Sequence, residues 1–275
     1  MSPAAFNTIA TLVRARSGIV LGEDKGYMLD TRLSGILREN RLSGLDALAA
    51  KLQGVGAEPL ARAVTEALTT NESSFFRDGK PFDHLRGVLP KLAAARSPGQ
   101  RLRIWSAACS TGQEAYSVAM ILSDLAAQLG GRPAEILGTD LSREVVARAQ
   151  EGVFTQFEVQ RGLPIQMLVK HFRQDGTRWQ ISPALRAMVR FEQGNLLDNH
   201  AGRGSFDVIF CRNVLIYFDA PTKRRVLEAL ADRLLPDGVL YLGGAETVLG
   251  ITERLVPVTG ERGPHVLRGR QGAAG

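Results

Sequence analysis

Apolar residues recur at helical spacing through the first 70 positions. Phe6, Ile9, Leu12 and Val13 share one helical face, as do Leu29, Leu33, Ile36 and Leu37, then Leu45, Leu48 and Leu52, then Leu60, Val64 and Leu68. Gly18, Gly22, Gly44, Gly54 and Gly56 punctuate these runs, which predicts a small helical domain over 1–70. A polar string, Thr69-Thr-Asn-Glu-Ser-Ser-Phe-Phe-Arg-Asp78, follows and ends in two aromatics, an arginine and an acid. Phe82, Leu85, Val88, Leu89 and Leu92 predict one more helix, and residues 93–100, rich in Ala, Ser, Pro and Gly, read as a linker. A connector over 71–100 therefore separates the helical domain from the remaining 101–275.

From Leu102 the period changes. Leu102, Ile104 and Trp105 mark a short buried strand; Ala107, Ala108, Ser110 and Gly112 make a small-residue turn, and Ala115–Leu125 returns to helical spacing. Strand, tight turn and helix in that order predict the first crossover of an open parallel sheet, whose turn lies at the carboxyl edge where ligands bind. Further strands are expected at Glu135–Asp140, from Val189 to about Asn195, at Phe206–Asn213 and at Val239–Gly243, with a helix over Pro221–Leu235 closed by Pro236-Asp-Gly. Residues 153–191 interrupt this rhythm. Asp175-Gly176 between two short alternating runs is a hairpin signal, so an inserted helix and a small antiparallel subdomain are expected there. Val256–Val258 and His265–Leu267 suit a last hairpin, and Arg268–Gly275 a loose tail.

The turn narrows the ligand. A dinucleotide site wants G-x-G-x-x-G so that a pyrophosphate can approach the helix amino end; residues 107–114 offer the single Gly112 and place Glu114 where that phosphate would lie. A ligand without phosphates, bearing positive charge or hydroxyls, fits better. Asp140, at the end of the second strand, is placed to accept ribose hydroxyls in charge-assisted hydrogen bonds; a plain helix cap is the alternative role. Asn71, Ser73 and Arg77 of the connector would reach such a ligand from the interdomain side, or the two aromatics pack the connector while Arg77 pairs with Asp78 or Asp83.

Composition adds bounds. Hydrophobic residues make up 44% and charged residues 23% of the 275, ordinary usage for a globular chain with a real core. The formal charge of +6 is spread along the chain without a dense basic run, which favours an acidic protein partner over nucleic acid. The helical domain displays Arg14, Arg16, Lys25, Arg32, Arg38 and Arg41, either a solvated surface or a docking face for an acidic helix. Cys109 and Cys211 form neither a metal cluster nor a disulfide framework, so no metal is expected and a reducing compartment is. No leader or run of about 18 apolar residues appears, and a cytoplasmic location is expected.

Together the motifs carry a resemblance. Thr69–Asp78, Ala108-Cys-Ser-Thr-Gly-Gln-Glu-Ala-Tyr-Ser117, Gly138-Thr-Asp140, Phe157-Glu-Val-Gln-Arg-Gly-Leu163, Gly194-Asn-Leu-Leu197 and Cys211-Arg-Asn-Val-Leu-Ile-Tyr-Phe218 resemble, in order, the motif set of the CheR-type chemotaxis receptor glutamate methyltransferases. The resemblance implies an α/β, Rossmann-like S-adenosylmethionine-dependent methyltransferase domain with an inserted antiparallel β subdomain, preceded by an all-α domain. It implies esterification of glutamates on chemoreceptor cytoplasmic helices, with S-adenosylhomocysteine as product. Carried over by position, it implies cofactor contacts at Asn71, Ser73 (where the family usually has threonine), Arg77, Glu114, Asp140 (on the ribose), Asn195 and Leu196 (flanking the adenine), and Arg212 and Asn213 (near the methionine part). Gln113 and Ala115 depart from the commoner Glu and Pro around Glu114. Arg77 and Tyr217 are expected at the reaction centre, and Arg32 and Arg38 at the receptor. The hairpin at Asp175-Gly176 is shorter than in relatives that grasp a receptor C-terminal tethering peptide, so no strong peptide binding is expected. Two rivals stay in view: a methyltransferase with another acceptor, and a non-catalytic regulator that binds the cofactor as a signal.

Overall fold

The structure is a computed structural model and describes residues 1–22 and 26–269. Lys25 and most of the expected C-terminal tail, 270–275, lie outside the described residues. The chain forms two compact units, Met1–Thr70 with Tyr217–Thr222, and Asn71–Ile216 with Lys223–Gly275.

The first unit is helical: α1 Pro3–Ser17, α2 Gly26–Glu39, α3 Leu45–Leu52 and α4 Glu58–Ala67. The faces read from spacing are the buried ones, with Ile9, Val13, Leu33, Leu48 and Val64 fully enclosed, while Leu12, Ile36 and Leu37 pack at the margin. Ser2 caps α1 by accepting the Ala5 N–H at 3.2 Å, and Gly18, at φ +79, ends it in the left-handed conformation that favours glycine. The Arg32 guanidinium donates to the carbonyls of Leu68 and Thr69, at 3.3 and 2.8 Å, and so satisfies groups beyond the end of α4. Segment 217–222 belongs here through a bridge between Ile19 and Phe218, the Val20 N–H to the Tyr217 carbonyl, and an Arg14–Asp219 ion pair.

The second unit is built on a seven-stranded sheet. Helix α5 (Lys80–Ala95) leads to β1 (Leu102–Ala107), α6 (Gln113–Asp124), β2 (Ala134–Asp140) and α7 (Arg143–Glu151). The insertion holds β3 (Val153–Thr155), α8 (Gln156–Gln160), α9 (Ile165–His171), β4 (Phe172–Asp175), β5 (Arg178–Ile181) and α10 (Pro183–Ala187). The main sheet resumes with β6 (Val189–Gln193), β7 (Phe206–Cys211), α11 (Ala220–Ala231), β8 (Leu234–Leu242), β9 (Leu255–Pro257) and β10 (Pro264–Leu267). Its order is β6-β2-β1-β7-β8-β10-β9, parallel through β8 and antiparallel at β10 and β9. The order reverses between β1 and β7, so the crevice at their carboxyl ends is the expected ligand position. A separate antiparallel sheet, β3-β5-β4, turns at Gly176-Thr177, with Gly176 at φ +56.

Three local expectations change. Residues 93–95 continue α5, because Ala93 is buried and Arg96 is anchored between Asp207 (2.5 Å) and Asp237 (2.7 Å), so this stretch is not a free linker. Pro236-Asp-Gly does not close α11; it lies within β8, where pairing jumps from Phe206–Leu234 to Val208–Val239 and the intervening residues bulge. A Cβ at Gly238 would sit 2.8 Å from the Asp207 carbonyl oxygen, an approach only glycine permits. The strand from Val189 stops at Gln193, and Asn195 falls in the following turn.

Candidate active site

The carboxyl edge of the sheet gathers most of the candidates. The turn after β1 is held under backbone strain: Ala108 has φ +62, Ser110 φ +51 and Gly112 φ +93. Among the described residues six non-glycine positions have positive φ, and five of them (Phe76, Asp78, Ala108, Ser110, Asn213) lie in the connector or in the turns after β1 and β7. Such strain persists only where surrounding contacts over-determine it, and it concentrates at functional sites. Gly112 is required twice over, since a Cβ there would also meet Ala149 and Phe191 at 3.0 Å.

Hydrogen bonds tie these turns together. The Ser110 hydroxyl donates to the Asn71 carbonyl at 2.7 Å, while the Ser110 N–H donates to the Asp140 carboxylate at 2.8 Å. The Ser142 N–H reaches the other Asp140 oxygen at 3.1 Å, and the Gly194 N–H binds the Asp140 carbonyl at 2.9 Å, bringing the Asn195-Leu196 turn beside β2. Glu114 accepts the Ser106 hydroxyl at 2.7 Å and the Arg212 guanidinium at 3.1 Å. Arg212 also donates to the Asp78 carboxylate (2.7 Å) and the Arg77 carbonyl (2.9 Å), so the connector is clasped to the end of β7. The Phe76 N–H to the Ser117 hydroxyl, at 3.0 Å, adds a second clasp. Arg77 donates to the Glu72 carbonyl at 3.2 Å.

Burial makes this edge electrostatically costly. It pushes the Glu114 carboxyl above its ordinary range, with Arg212 pulling the other way, and it raises Asp140 against the N–H groups of Ser142 and Ser110. Both cysteine thiols are pushed well up, by burial first and then by neighbouring carboxylates, and are inert. Two costly carboxylates suit a cationic ligand. Asp140 keeps lone-pair capacity for a hydroxyl beside the N–H groups of Ser110, Ser142 and Leu141, and the buried Asn213 Oδ1 has no protein partner, an acceptor that an ammonium group would satisfy. The residues present therefore fit a ligand that carries hydroxyls and positive charge.

Other candidates are placed differently. Arg212, expected along the pocket, spends its guanidinium on Glu114, Asp78 and the Arg77 carbonyl, while its Nε is buried without a partner. Asn195 accepts the Leu197 N–H at 3.0 Å and shapes its own turn. Tyr217, Arg32 and Arg38 belong to the helical unit, where Arg38 is exposed and Arg32 half-buried. Sequence reasoning missed Glu246. Its carboxylate accepts the N–H groups of Asn213 (2.8 Å), Val214 (2.9 Å), Leu215 (2.7 Å) and Gly243 (2.6 Å), bonds to backbone that no side-chain motif announces.

This mixed sheet, with its antiparallel insertion, is the part of the chain that matches a family model of S-adenosylmethionine-binding methyltransferases. Residues 4–69 match the CheR methyltransferase all-alpha domain and residues 71–263 match the CheR methyltransferase SAM binding domain. The chain belongs to the CheR family of chemotaxis protein methyltransferases. It is 38% identical over 253 residues to chemotaxis protein methyltransferase Cher2 of Pseudomonas putida, covering 90% of this chain and 92% of that one. It is 40% identical over 250 residues to chemotaxis protein methyltransferase 1 of Pseudomonas aeruginosa, covering 89% and 90%. A chemotaxis protein methyltransferase of Vibrio parahaemolyticus is 36% identical over 258 residues, covering 92% and 93%. Among the described residues no helix is long and apolar enough to cross a membrane.

Proposed function

We propose that this protein methylates glutamate side-chain carboxylates on the cytoplasmic helices of chemoreceptors, giving glutamate methyl esters for adaptation, and that it works in the cytoplasm. The observation that carries the reading is the tandem family match across both units, joined to relatives named for chemotaxis over nearly their whole length. Bound S-adenosylmethionine supplies a methyl group made electrophilic by a sulfonium. Asp140 accepts the ribose hydroxyls, Asn195 and Leu196 flank the adenine, and Asn71, Ser73 and Asn213 bind the remaining polar groups. Glu114 offsets positive charge, and Arg212 acts by holding Glu114 and the connector rather than by touching the ligand.

Little acid–base machinery is needed. A glutamate of pKa about 4.3 is already ionised at neutral pH and attacks without a general base. Placement of the carboxylate is what the chain must supply, and it is worth several kcal/mol. A drier cleft further favours an anion meeting a cation. Arg77 grips a carboxylate with its two-pronged guanidinium, and the Tyr217 hydroxyl orients the acceptor or the methyl group. Arg38, exposed on α2, meets the acidic receptor helix, with Arg32 contributing beside its bonds to Leu68 and Thr69. The two-residue turn at Gly176-Thr177 supports docking that does not depend on a receptor C-terminal tethering peptide.

Incubation with methyl-labelled S-adenosylmethionine and a chemoreceptor cytoplasmic fragment tests the reading: mild alkali should release the label from the receptor as methanol. No transfer, with cofactor binding intact, would point to another acceptor or a sensing role. Arg77→Ala and Tyr217→Phe should each lower turnover more than cofactor affinity; full turnover with unchanged affinity in both would overturn the two roles.

A further inference from the structure

We infer that Glu246 is a positioning residue for the cofactor pocket, acting through the turn that follows β7. This rests on the assignment of Asn213 to that pocket. The turn begins at Asn213, held at φ +58, and continues into a short 3-10 helix, Leu215–Tyr217. Asn visits that φ more readily than other non-glycine residues, and a fixed partner holds it there. Glu246 is that clamp: one carboxylate oxygen takes the Asn213 and Gly243 N–H groups at 2.8 and 2.6 Å, the other takes Val214 and Leu215 at 2.9 and 2.7 Å.

Four donors from two chain segments converge on one side chain, so the ends of β7 and β8 are locked in register beyond their last strand pair, Cys211–Leu242. A carboxylate alone among side chains offers acceptors on both oxygens and no donor to repel an N–H. The fit is also tight. A Cβ at Gly243 would lie 2.7 Å from the Glu246 carboxylate and 2.9 Å from both the Asn213 N and Nδ2. Glu246 thereby sets where the buried, unpartnered Asn213 Oδ1 is presented, while the ligand contact itself belongs to Asn213.

The test is titration calorimetry of S-adenosylhomocysteine with the full chain, with no receptor present, alongside thermal unfolding. Glu246→Gln keeps the shape but turns an NH2 toward two of the four donors. Gly243→Ala displaces the carboxylate without removing it and also crowds Asn213, so it tests the packed turn, while Glu246→Gln and its double variant isolate Glu246. Each should raise Kd at least tenfold at a temperature where the variant is fully folded, and Glu246→Gln should add less than threefold when made in an Asn213→Ala background. Wild-type Kd in both variants, whatever their Tm, would show a merely structural residue and overturn the inference; so would full additivity with Asn213→Ala. Failure of both variants to fold would likewise assign Glu246 to the fold rather than to the pocket. Absence of binding by the wild type would overturn the pocket assignment and this inference together.

Discussion

Replacing Arg212 with methionine isolates one electrostatic cost. The Arg212 side chain is 2% exposed and pairs with Glu114, at 11%, and with Asp78, at 51%. The Asp78 pair is half in water and contributes at most about 1 kcal/mol. Removing the guanidinium leaves the Glu114 carboxylate with the Ser106 hydroxyl and the more distant Arg77 charge, and breaking a buried pair in this way costs about 3–5 kcal/mol. For a unit of this size that corresponds to a drop in Tm of roughly 6–12 °C when the lower figure is used. The loss should depend on pH. Burial already holds the Glu114 carboxyl above its unfolded value, and loss of Arg212 raises it further. A carboxyl raised in the folded state contributes stability that is whole below its unfolded pKa and is lost as pH rises through the folded one. The Arg212→Met deficit should therefore be small near pH 5 and full at pH 8, and Glu114→Gln in the same chain should recover much of it. Thermal unfolding of both single variants and the double, followed by circular dichroism at the two pH values, measures this. A deficit equal at both pH values, with the double variant simply additive, would refute the buried-charge argument.

Asp140→Asn relieves a charge that burial opposes but turns an NH2 toward the N–H of Ser110 or of Ser142, so the Tm of the ligand-free protein at pH 8 should change little. Its Kd for S-adenosylhomocysteine should rise on the order of ten- to a hundredfold, for the loss of one or two charge-assisted hydrogen bonds, and lowered Tm with unchanged Kd would contradict this. Gly162→Ala should cost at least about 2 kcal/mol in urea unfolding, since Gly162 has φ +87 and a Cβ there would sit 2.1 Å from the Phe75 carbonyl oxygen; an unchanged midpoint would count against the geometry. A peptide ending like a receptor tether should show no micromolar binding by calorimetry, and measurable binding in that range would reverse the reading of the short hairpin.

Local patterns announced local structure. The α1–α4 faces, the β1 turn with Gly112 and the Asp175-Gly176 hairpin are each set by residues within about a dozen positions, which is why spacing and turn chemistry foretold them. What spacing missed was non-local. Pro236-Asp237-Gly238 reads as a stop, and becomes a bulge because Asp237 meets Arg96 and Gly238 fits under the Asp207 carbonyl. Nothing near Arg212 in the sequence announces its partners Glu114, 98 positions away, and Asp78, 134 away. Glu246 carries no motif at all, because its partners are peptide N–H groups that every residue but proline possesses.

The six residues 217–222 bear on modularity. The two family matches meet at position 70, and a modular ancestry would cut the gene there. Yet the compact helical unit is completed by a segment encoded roughly 150 codons downstream, with Phe218 buried, bridged to Ile19 and only 3.3 Å from where a Cβ on Gly18 would lie. A chain starting at 71 would carry Phe218 without its cover, and a chain ending at 70 would lack the strip that packs on Gly18. The helical unit is thus not a portable cassette, and recombination between relatives would have to exchange both pieces at once to inherit either intact.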